Sequence, residues 1–266
     1  MLKNRLNKKV WSKKKYYEIA KEGSLDTKHF GMVLLKKLAE NARSILDLGC
    51  GEGTRLSFIS GDNTKHSVGV DISNIAVSLA RKNYPHIKFI SENLELLPFK
   101  DDSFELTYSA YVLEHLDDPE RVVGEAIRVT KPNGNLVFLA PNYGAPNRAS
   151  PVFKGSRMIK LMAGFLKDVV SLFKENYELN WLKVQPQISN YSQDSDTTVE
   201  PYIRSLIQYL KSKNMSLETW SSCWEEELSN PSGIQKFFAG LAKYNVYPFT
   251  LWGPHLVIHV KKITDL

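Results

Sequence analysis

Short apolar runs alternate with segments of helical periodicity along the first 142 residues of the chain. The runs have the length and composition of buried strands and occupy residues 44–48, 66–70, 87–90, 104–108 and 135–140. Between them, apolar residues recur three or four positions apart, which predicts helices over residues 26–41, 54–60, 74–82 and 118–130. The residues Lys-Pro-Asn-Gly at 131–134 predict a turn into the fifth strand. Strands that alternate with helices form parallel sheets with right-handed crossovers. The pattern therefore predicts a doubly wound α/β fold, with helices on both faces of the sheet.

The alternation stops after Pro141 and resumes near Val199. In this interval, turn residues surround one long amphipathic helix with apolar positions at Met158, Leu161, Met162, Phe165, Val169, Leu172 and Phe173. Further along, the pattern predicts helices over residues 202–213 and 226–243 and strands over residues 216–220 and 256–261. The sheet would then have seven, mostly parallel strands. We therefore divide the chain into a basic arm (1–25), a core (26–142), a helical insertion after the fifth strand (143–199) and a C-terminal completion of the sheet (200–266).

Composition places the chain among ordinary globular proteins. Of its 266 residues, 42% are hydrophobic and 24% are charged, which excludes a disordered or fibrous chain. Cys50 and Cys223 form neither a metal-binding motif nor a disulfide framework, so a reducing, cytoplasmic setting is expected. No apolar run reaches the roughly 18 residues of a membrane-spanning helix, and the lysine-rich start lacks the apolar stretch of a secretion signal.

The positive charge of the chain is concentrated in its first 22 residues. They contain eight lysines and arginines and two glutamates, which accounts for the whole net charge of +6. The basic character therefore belongs to an arm and not to the folded body. A solvent-exposed helix is the leading interpretation, and contact with an anionic substrate, a membrane surface or nucleic acid is the alternative.

A glycine-rich loop, residues 47–53, follows the first predicted strand. Gly49, Gly51 and Gly53 lack a Cβ atom, so the backbone can approach a ligand closely, although a plain structural turn would also tolerate glycine. Parallel sheets bind ligands at the carboxyl ends of their strands, which is where this loop lies. Thr54 occupies the position of the third glycine in the dinucleotide-binding fingerprint, which disfavours an NAD enzyme.

Two carboxylates narrow the choice of ligand. Asp47 lies two residues before Gly49, where it would repel a pyrophosphate but suit a ligand that carries an ammonium and a sulfonium group. Asp71 ends the second strand, 22 residues after Gly49, where an acidic side chain can accept hydrogen bonds from both hydroxyls of a ribose. The loop and the two acids together favour a sulfonium nucleoside over a phosphate-bearing cofactor.

The loop belongs to a set of five motifs that resembles the class I S-adenosylmethionine-dependent methyltransferases. The resemblance is strongest to the small-molecule group of quinone-biosynthesis enzymes, which carry the methyltransferase type 11 domain. The motifs are ILDLGCGEG at 45–53, VGVDIS at 68–73, LPFKDDSF at 97–104, VLEHL at 112–116 and LVFLAPN at 136–142. The resemblance implies a Rossmann-like methyltransferase fold and the cofactor S-adenosylmethionine, which is released as S-adenosylhomocysteine.

The resemblance also implies cofactor contacts, position by position. The implied cofactor-binding residues are Asp47, Gly49, Cys50, Gly51, Gly53, Asp71, Ile72, Asn93, Leu94, Ser109 and Ala110. The loop would line the methionine part of the cofactor, Asp71 would hold the ribose, and Ile72 would pack on the adenine ring. The family usually has an acidic residue near the adenine amino group. This chain has Asn93 there, whose side-chain oxygen can still accept that hydrogen bond.

The candidate catalytic residues, Tyr111, Glu114 and His115, follow the fourth strand. Methyl transfer is an in-line displacement, so the protein mainly holds the nucleophile close and aligned. His115 could act as a general base, or it could merely cap the next loop. Glu114 has no second carboxylate or histidine at ligand spacing in the sequence, so no metal site is expected.

The sequence leaves the acceptor open. The insertion lies where the carboxyl edge of the sheet opens, so we expect a lid whose apolar face either docks on the core or binds a lipid-like or aromatic acceptor. Groups of the sort that bind sugars occur in the same part of the chain, at Tyr143, Trp181, Tyr191, Asp194 and Asp196. His255 could approach the same opening. We expect methyl transfer to oxygen of a small-molecule, glycan or lipid-like acceptor, and a noncatalytic S-adenosylmethionine-binding module is the alternative.

Methylation of nucleic-acid bases is disfavoured. Enzymes that methylate base amino groups usually carry an Asn/Asp-Pro-Pro-aromatic turn after the fourth strand, whereas this chain has Ser109, Ala110 and Tyr111 there. Neither cysteine follows a proline, as the nucleophile of the other base-modifying type does. A nucleic-acid partner is therefore not expected, and the sequence does not determine the oligomeric state.

Overall fold

The structure, a computed structural model, describes residues 27–61, 66–173, 177–187, 194–224 and 232–263. Its strands are β1 Ser44–Leu48, β2 His66–Asp71, β3 Lys88–Ser91, β4 Phe104–Ala110, β5 Thr130–Pro141, β6 Leu182–Lys183, β7 Val199–Glu200, β8 Met215–Ser221 and β9 His255–Lys262. Its helices are α1 Phe30–Glu40, α2 Thr54–Ser60, α3 Asn74–Asn83, α4 Pro119–Val129, α5 Arg157–Val170, α6 Ile203–Ser212 and α7 Gly233–Lys243. The predicted arm at residues 1–25 lies outside the described part, and the division into four parts stays a prediction.

Seven strands form one sheet in the order β3-β2-β1-β4-β5-β9-β8. The five neighbouring strands β3, β2, β1, β4 and β5 pair in parallel, while β9 is antiparallel to both β5 and β8. The doubly wound, mostly parallel seven-stranded sheet that the sequence predicts is thus confirmed. The strand order reverses between β1 and β4, and in such sheets ligands bind outside the carboxyl ends of the strands at this switch point.

Alternate residues of each strand enter one of two hydrophobic cores. Ile45 of β1 packs in a core with Leu35 of α1 and Leu56 of α2. Its neighbour Leu46 packs in the core on the opposite face, with Val122 of α4 and further residues of α6. Because successive side chains of a strand point to opposite faces, these fully buried runs need helices on both sides. The glycine loop and the β4 end are therefore held by a rigid, doubly covered sheet.

The turn predicted at residues 131–134 is wrong. These residues belong to β5, which runs from Thr130 and shows an irregular register against β4 between Phe104 and Leu106. Asn133 has a φ of 60°, a value that asparagine tolerates better than most residues. The local turn signal of proline, asparagine and glycine is thus accommodated as a bulge in a longer strand.

The long helix of the insertion, α5, turns its apolar side to solvent. Met158, Phe165 and Phe173 are 68%, 46% and 87% exposed, so the alternative in which they dock the insertion on the core is wrong. The helix is instead attached by polar groups. Buried Asp168 accepts hydrogen bonds from the Tyr202 hydroxyl at 2.6 Å and from the Trp252 indole at 3.0 Å. Hydrogen bonds to a charged acceptor are about twice as strong as neutral ones, so these contacts favour the orientation in which Asp168 faces the protein.

The end of the insertion returns to the core through a short antiparallel pair, β6 and β7, that the sequence pattern does not predict. Just before β7, the Thr198 backbone N–H donates to the Glu114 carbonyl at 2.8 Å. The insertion therefore closes over the segment that follows β4. Among the helices in the described ranges, none combines the length and the apolar character needed to cross a membrane.

Candidate functional site

The glycine loop is shaped by left-handed backbone at the switch point. The N–H groups of Gly49 and Cys50 both donate to the Val70 carbonyl of β2, at 2.7 and 3.0 Å. Gly49 has a φ of +82°, and a Cβ atom there would lie 2.3 Å from Val112. Gly51 has a φ of +54°, but a Cβ atom there would meet no atom within 4 Å. Gly51 therefore borders open space that a ligand can occupy.

Asp71 is fixed beside this space at the end of β2. Its Oδ2 accepts from the Gly51 N–H at 2.9 Å, and its Oδ1 accepts from the Ser73 N–H at 2.8 Å. Burial raises the pKa of Asp71, while the two backbone N–H groups act to lower it. Each carboxylate oxygen keeps a further lone pair, so the side chain can accept two more hydrogen bonds from a ligand.

Asp47 lies in β1, next to Tyr108 of β4, and is completely buried. Its Oδ2 accepts from the Tyr108 hydroxyl at 2.8 Å, whereas its Oδ1 makes no hydrogen bond to any described residue. Burial raises the pKa of Asp47 to about 7; Arg55 and the Tyr108 hydrogen bond oppose this rise, and Asp71 adds to it. Burying a carboxylate oxygen without a hydrogen-bond donor costs free energy. Such an oxygen is therefore available to a cationic group of a ligand.

The end of β4 offers polar groups to the same edge of the sheet. Ser109 is buried, and its Oγ makes no hydrogen bond within the described ranges. The Ala110 carbonyl accepts from the Arg55 guanidinium at 3.2 Å, and that guanidinium lies 5.5 Å from the centre of the Tyr111 ring. Tyr111 itself has a φ of 61°. Strained backbone of this kind is common where a site must aim a side chain.

Two histidines pack around Tyr111. The rings of His29 and His255 lie 6.5 and 5.5 Å from the Tyr111 ring and 5.7 Å from each other, between ring centres. The approach of His255 to this opening is as expected, but sequence reasoning missed His29 and Arg55. His29 precedes the first helix and Arg55 lies inside the second, so neither belongs to a motif. Only the packing of α1 and α2 against the sheet brings them to the site.

His115 lies between two carboxylates. Its Nε2 is 3.7 Å from Oε1 of Glu114, and its Nδ1 is 3.6 Å from Oδ2 of Asp196. Burial lowers the pKa of His115, but Asp196, Glu114 and Asp194 together outweigh this and raise it. Burial also raises the pKa of Glu114 to about 7, and its Oε2 makes no hydrogen bond to a described residue. The arrangement can hold and release a proton near neutral pH.

Glu114 does have a histidine and a second carboxylate close enough to share a metal ion, contrary to what ligand spacing in the sequence predicts. Asp194 of the insertion joins Glu114 and His115, and one ligand atom from each residue lies within 4.8 Å of the others. Asp194 lies 80 positions after Glu114 in the sequence, so ligand spacing could not reveal this group of three residues. The Tyr143 hydroxyl donates to Oδ2 of Asp194 at 2.6 Å, which already satisfies one of these oxygens. The absence of a metal stays a prediction.

The remaining predicted residues differ in what they can offer. Ile72 is half-buried beside Asp71, and Asn93 is exposed, with its Oδ1 accepting from the Glu95 N–H at 3.1 Å. Leu94 is packed in the core, so only its backbone can contact a ligand. The Cys50 thiol is buried, and this burial is the main reason why its pKa is raised well above the usual value. Gly53 is left-handed, with a φ of +87°.

Of the aromatic residues proposed for the acceptor, Trp181 does not support that role. Trp181 is 7% exposed and donates its indole N–H to Ser205 at 2.7 Å, so it belongs to the core. Tyr191 lies outside the described residues. A cavity of about 660 Å³ lies elsewhere, between α5, α6 and β8, and residues such as Val169, Ile207 and Leu217 line it. None of the candidate site residues lines this cavity.

A glycine cradle at a switch point, with one acid before it and one at the end of the next strand, defines a nucleoside-binding α/β domain. Residues 46–138 match the family model described as "Methyltransferase domain". Residues 46–138 are thus a methyltransferase domain, the class that the five motifs predict.

Two curated relatives agree with this assignment. A probable S-adenosylmethionine-dependent methyltransferase of Mycobacterium tuberculosis is 34% identical over 124 residues, which are 45% of each chain. A demethylmenaquinone methyltransferase of Renibacterium salmoninarum is 33% identical over 103 residues, 38% of this chain and 43% of the relative. The chain thus spans less than half the length of these relatives.

A solved structure shares the fold over most of the chain. An S-adenosylmethionine-dependent methyltransferase of Mesorhizobium loti superposes with a TM-score of 0.54 and 17% identity, covering 86% of this chain and 96% of that one. The similarity supports the Rossmann-like methyltransferase fold, and at this identity it supports the fold alone.

Proposed function

We propose that this chain transfers the methyl group of S-adenosylmethionine to an oxygen atom of a small-molecule, glycan or lipid-like acceptor. The observation that carries the proposal is the open space beside Gly51. Two acids border this space, because Asp71 accepts a hydrogen bond from the Gly51 N–H and buried Asp47 begins the same loop. A cradle bordered by two acids fits a cationic nucleoside and repels a pyrophosphate.

The residues present fit the cofactor. Asp71 has lone pairs for the two ribose hydroxyls, and Oδ1 of Asp47 has no other hydrogen-bond partner among the described residues and suits the ammonium group. Ile72 would pack on the adenine ring, and the backbone of Ser109 would meet the amino end of the cofactor. When bound, S-adenosylmethionine supplies a methyl group on a sulfonium, and the neutral thioether that remains after transfer is a good leaving group.

Cofactor affinity is expected to fall as the pH is lowered from about 8 to about 6. An ammonium group binds the ionised carboxylate, and Asp47, with a pKa of about 7, is mostly ionised at the upper pH and mostly protonated at the lower one. We therefore expect a loss of about tenfold, measured by titration calorimetry with S-adenosylhomocysteine. In Asp47→Asn, affinity should be low at both pH values. A pH dependence that persists in this variant would contradict the role of Asp47.

On the acceptor side, His115 is the group that we propose takes the proton from the acceptor hydroxyl. Its imidazole is 12% exposed and is held between Glu114 and Asp196, so both its orientation and its basicity are controlled. The raised pKa makes it a better base once it is neutral. Tyr143 and Asp194, joined by a hydrogen bond, lie on the same side and can bind acceptor hydroxyls.

The test is a screen of candidate acceptors by transfer of a labelled methyl group. With an acceptor in hand, His115→Asn is expected to lower kcat by about 100- to 10,000-fold, while the affinity for S-adenosylhomocysteine stays at the wild-type value. The control is His86→Asn, because His86 is exposed and lies just before β3, at the amino end of the strand and not at the carboxyl edge of the sheet where the site motifs lie. It should change neither quantity. Tight cofactor binding without transfer to any acceptor would favour a noncatalytic binding module instead.

A further inference from the structure

Most of the large hydrophobic side chains that are exposed in the described residues lie in two segments, 158–173 and 234–247. In the first segment, one side of α5 and the residues just after it form an apolar face. We define this apolar face as Met158, Ile159, Met162, Leu166, Val170 and Phe173, whose exposed fractions range from 50% to 87%. Exposed apolar patches of this extent mark interaction surfaces in soluble proteins.

The apolar face is exposed because the opposite side of α5 is anchored to the protein. Asp168 binds Tyr202 and Trp252, and Lys160 donates to the Tyr143 carbonyl at 2.7 Å. Gly164 lies so close to Pro146 that a Cβ atom there would come within 2.8 Å of it. A surface helix usually buries its apolar stripe against the core. In α5 the orientation is reversed, so rotating the apolar face inward would break these polar contacts.

The second segment extends the same surface. In α7, Ile234 and Phe237 are 67% and 63% exposed. Tyr247, which follows α7, has its ring centre 6.2 Å from that of Phe165 in α5. This contact joins α5 to the segment that follows α7, where both rings are exposed. Aliphatic side chains exposed together with aromatic ones are typical of helices that lie in a membrane interface.

The charge of this surface identifies its partner. Residues 151–173 and 232–252 carry exposed basic side chains at Lys154, Arg157, Lys167, Lys236 and Lys243. The acidic residue in these segments is Asp168, which is buried. A second copy of the chain would bring like charges together, whereas anionic lipid head groups would attract the basic side chains while the apolar face enters the acyl region. The basic N-terminal arm adds to the same attraction.

We propose that α5 and α7 dock this chain on the surface of an anionic lipid bilayer, with the apolar face inserted and the basic side chains at the head groups. The proposal is independent of catalysis. In such a position the insertion, which closes over Glu114 through Thr198, would be the part of the site next to the lipid.

The test is sedimentation of the full chain with vesicles of phosphatidylcholine alone or mixed with phosphatidylglycerol. The wild type is expected to bind the mixed vesicles, and the double variant Met162→Glu, Leu166→Glu should bind them at least about tenfold more weakly, because two apolar side chains no longer enter the bilayer. The control is Val33→Glu, which places the same charge on α1, where Val33 is 53% exposed, and should bind like the wild type.

Three results would overturn the proposal. The wild type could fail to bind the mixed vesicles, or the double variant could bind as tightly as the wild type, which would assign the binding to the N-terminal arm. Light scattering could also show a wild-type dimer that the double variant converts to a monomer, which would assign the apolar face to a second copy. S-adenosylhomocysteine binding, measured on all three proteins by calorimetry, separates these outcomes from a failure of the fold or of the proposed function.

Discussion

Replacing Gly51 by alanine is expected to lower the affinity for S-adenosylhomocysteine by about 10- to 100-fold while leaving the fold in place. The added methyl group meets no protein atom within 4 Å, so its steric conflict is with the ligand that we place beside the loop. Forcing one additional carbon into a packed contact costs about 1–3 kcal/mol, which corresponds to this range of affinity. Titration calorimetry on the purified variant measures the loss.

Gly61→Ala is the matched control for this substitution. Gly61 has a φ of +58°, close to that of Gly51, and an added Cβ atom would have Lys36 Nζ as its nearest neighbour at 3.4 Å. Both variants should lose about 1 kcal/mol or more of the free energy of unfolding, since alanine is strained at a positive φ. The loss should be at least as large in Gly61→Ala, because Gly61 has a ψ of −158°, a combination open essentially to glycine alone. Only Gly51→Ala should lose cofactor. Equal affinity in the two variants would show that the ligand does not lie against Gly51.

Asp71→Ala is expected to have the larger effect, a loss of cofactor affinity of about 100- to 10,000-fold. Two hydroxyl groups that donate to one carboxylate are together worth about 3–6 kcal/mol. The substitution also removes the acceptor that holds the N–H groups of Gly51 and Ser73, so the loop loses its fixed position. Calorimetry gives the affinity, and chemical denaturation shows how much of the loss comes from a weakened fold.

Two further variants keep this result interpretable. Asp71→Asn retains a side-chain oxygen but not the charge, so its affinity should lie between those of Asp71→Ala and the wild type. Asp101→Ala removes an acid that is 72% exposed and paired with Arg128 at 2.8 Å, away from the loop, and should bind cofactor normally. If Asp71→Ala bound S-adenosylhomocysteine as tightly as the wild type, the carboxylate would not hold the ribose.

Much of the fold could be predicted because its signals are local. The second helix begins and ends where the periodicity places it, at Thr54 and Ser60. The buried runs at 44–48 and 66–70 became neighbouring parallel strands because each is too short and too apolar to be stable except between two layers of helices. The turn signal at 131–134 does not end the strand, since β5 continues through these residues as a bulge between its pairings with Phe104 and Leu106 of β4.

The position of the glycine loop and its two acids was also predictable, whereas the set of residues proposed for the acceptor was only partly so. Asp47, Gly49 and Asp71 follow or end strands, and parallel strands bring their carboxyl ends to one edge of the sheet. His29 and Asp194 reach the same edge from a helix start and from the insertion, and their positions depend on contacts between distant parts of the chain. A single sequence has no periodicity that reports such contacts.

The sequence by itself determined the doubly wound sheet, the glycine loop with its two acids and the existence of an amphipathic helix in the insertion. Only the tertiary structure decided which side of that helix faces the protein. Hydrophobic periodicity predicts that a helix has two unlike sides, and burial of the apolar side is the usual outcome. Here Asp168 and Lys160 form hydrogen bonds with the half-buried Tyr202 and Tyr143, and this orientation leaves the apolar side in solvent. Because hydrogen-bond partners come from distant segments, no local pattern could reveal this choice.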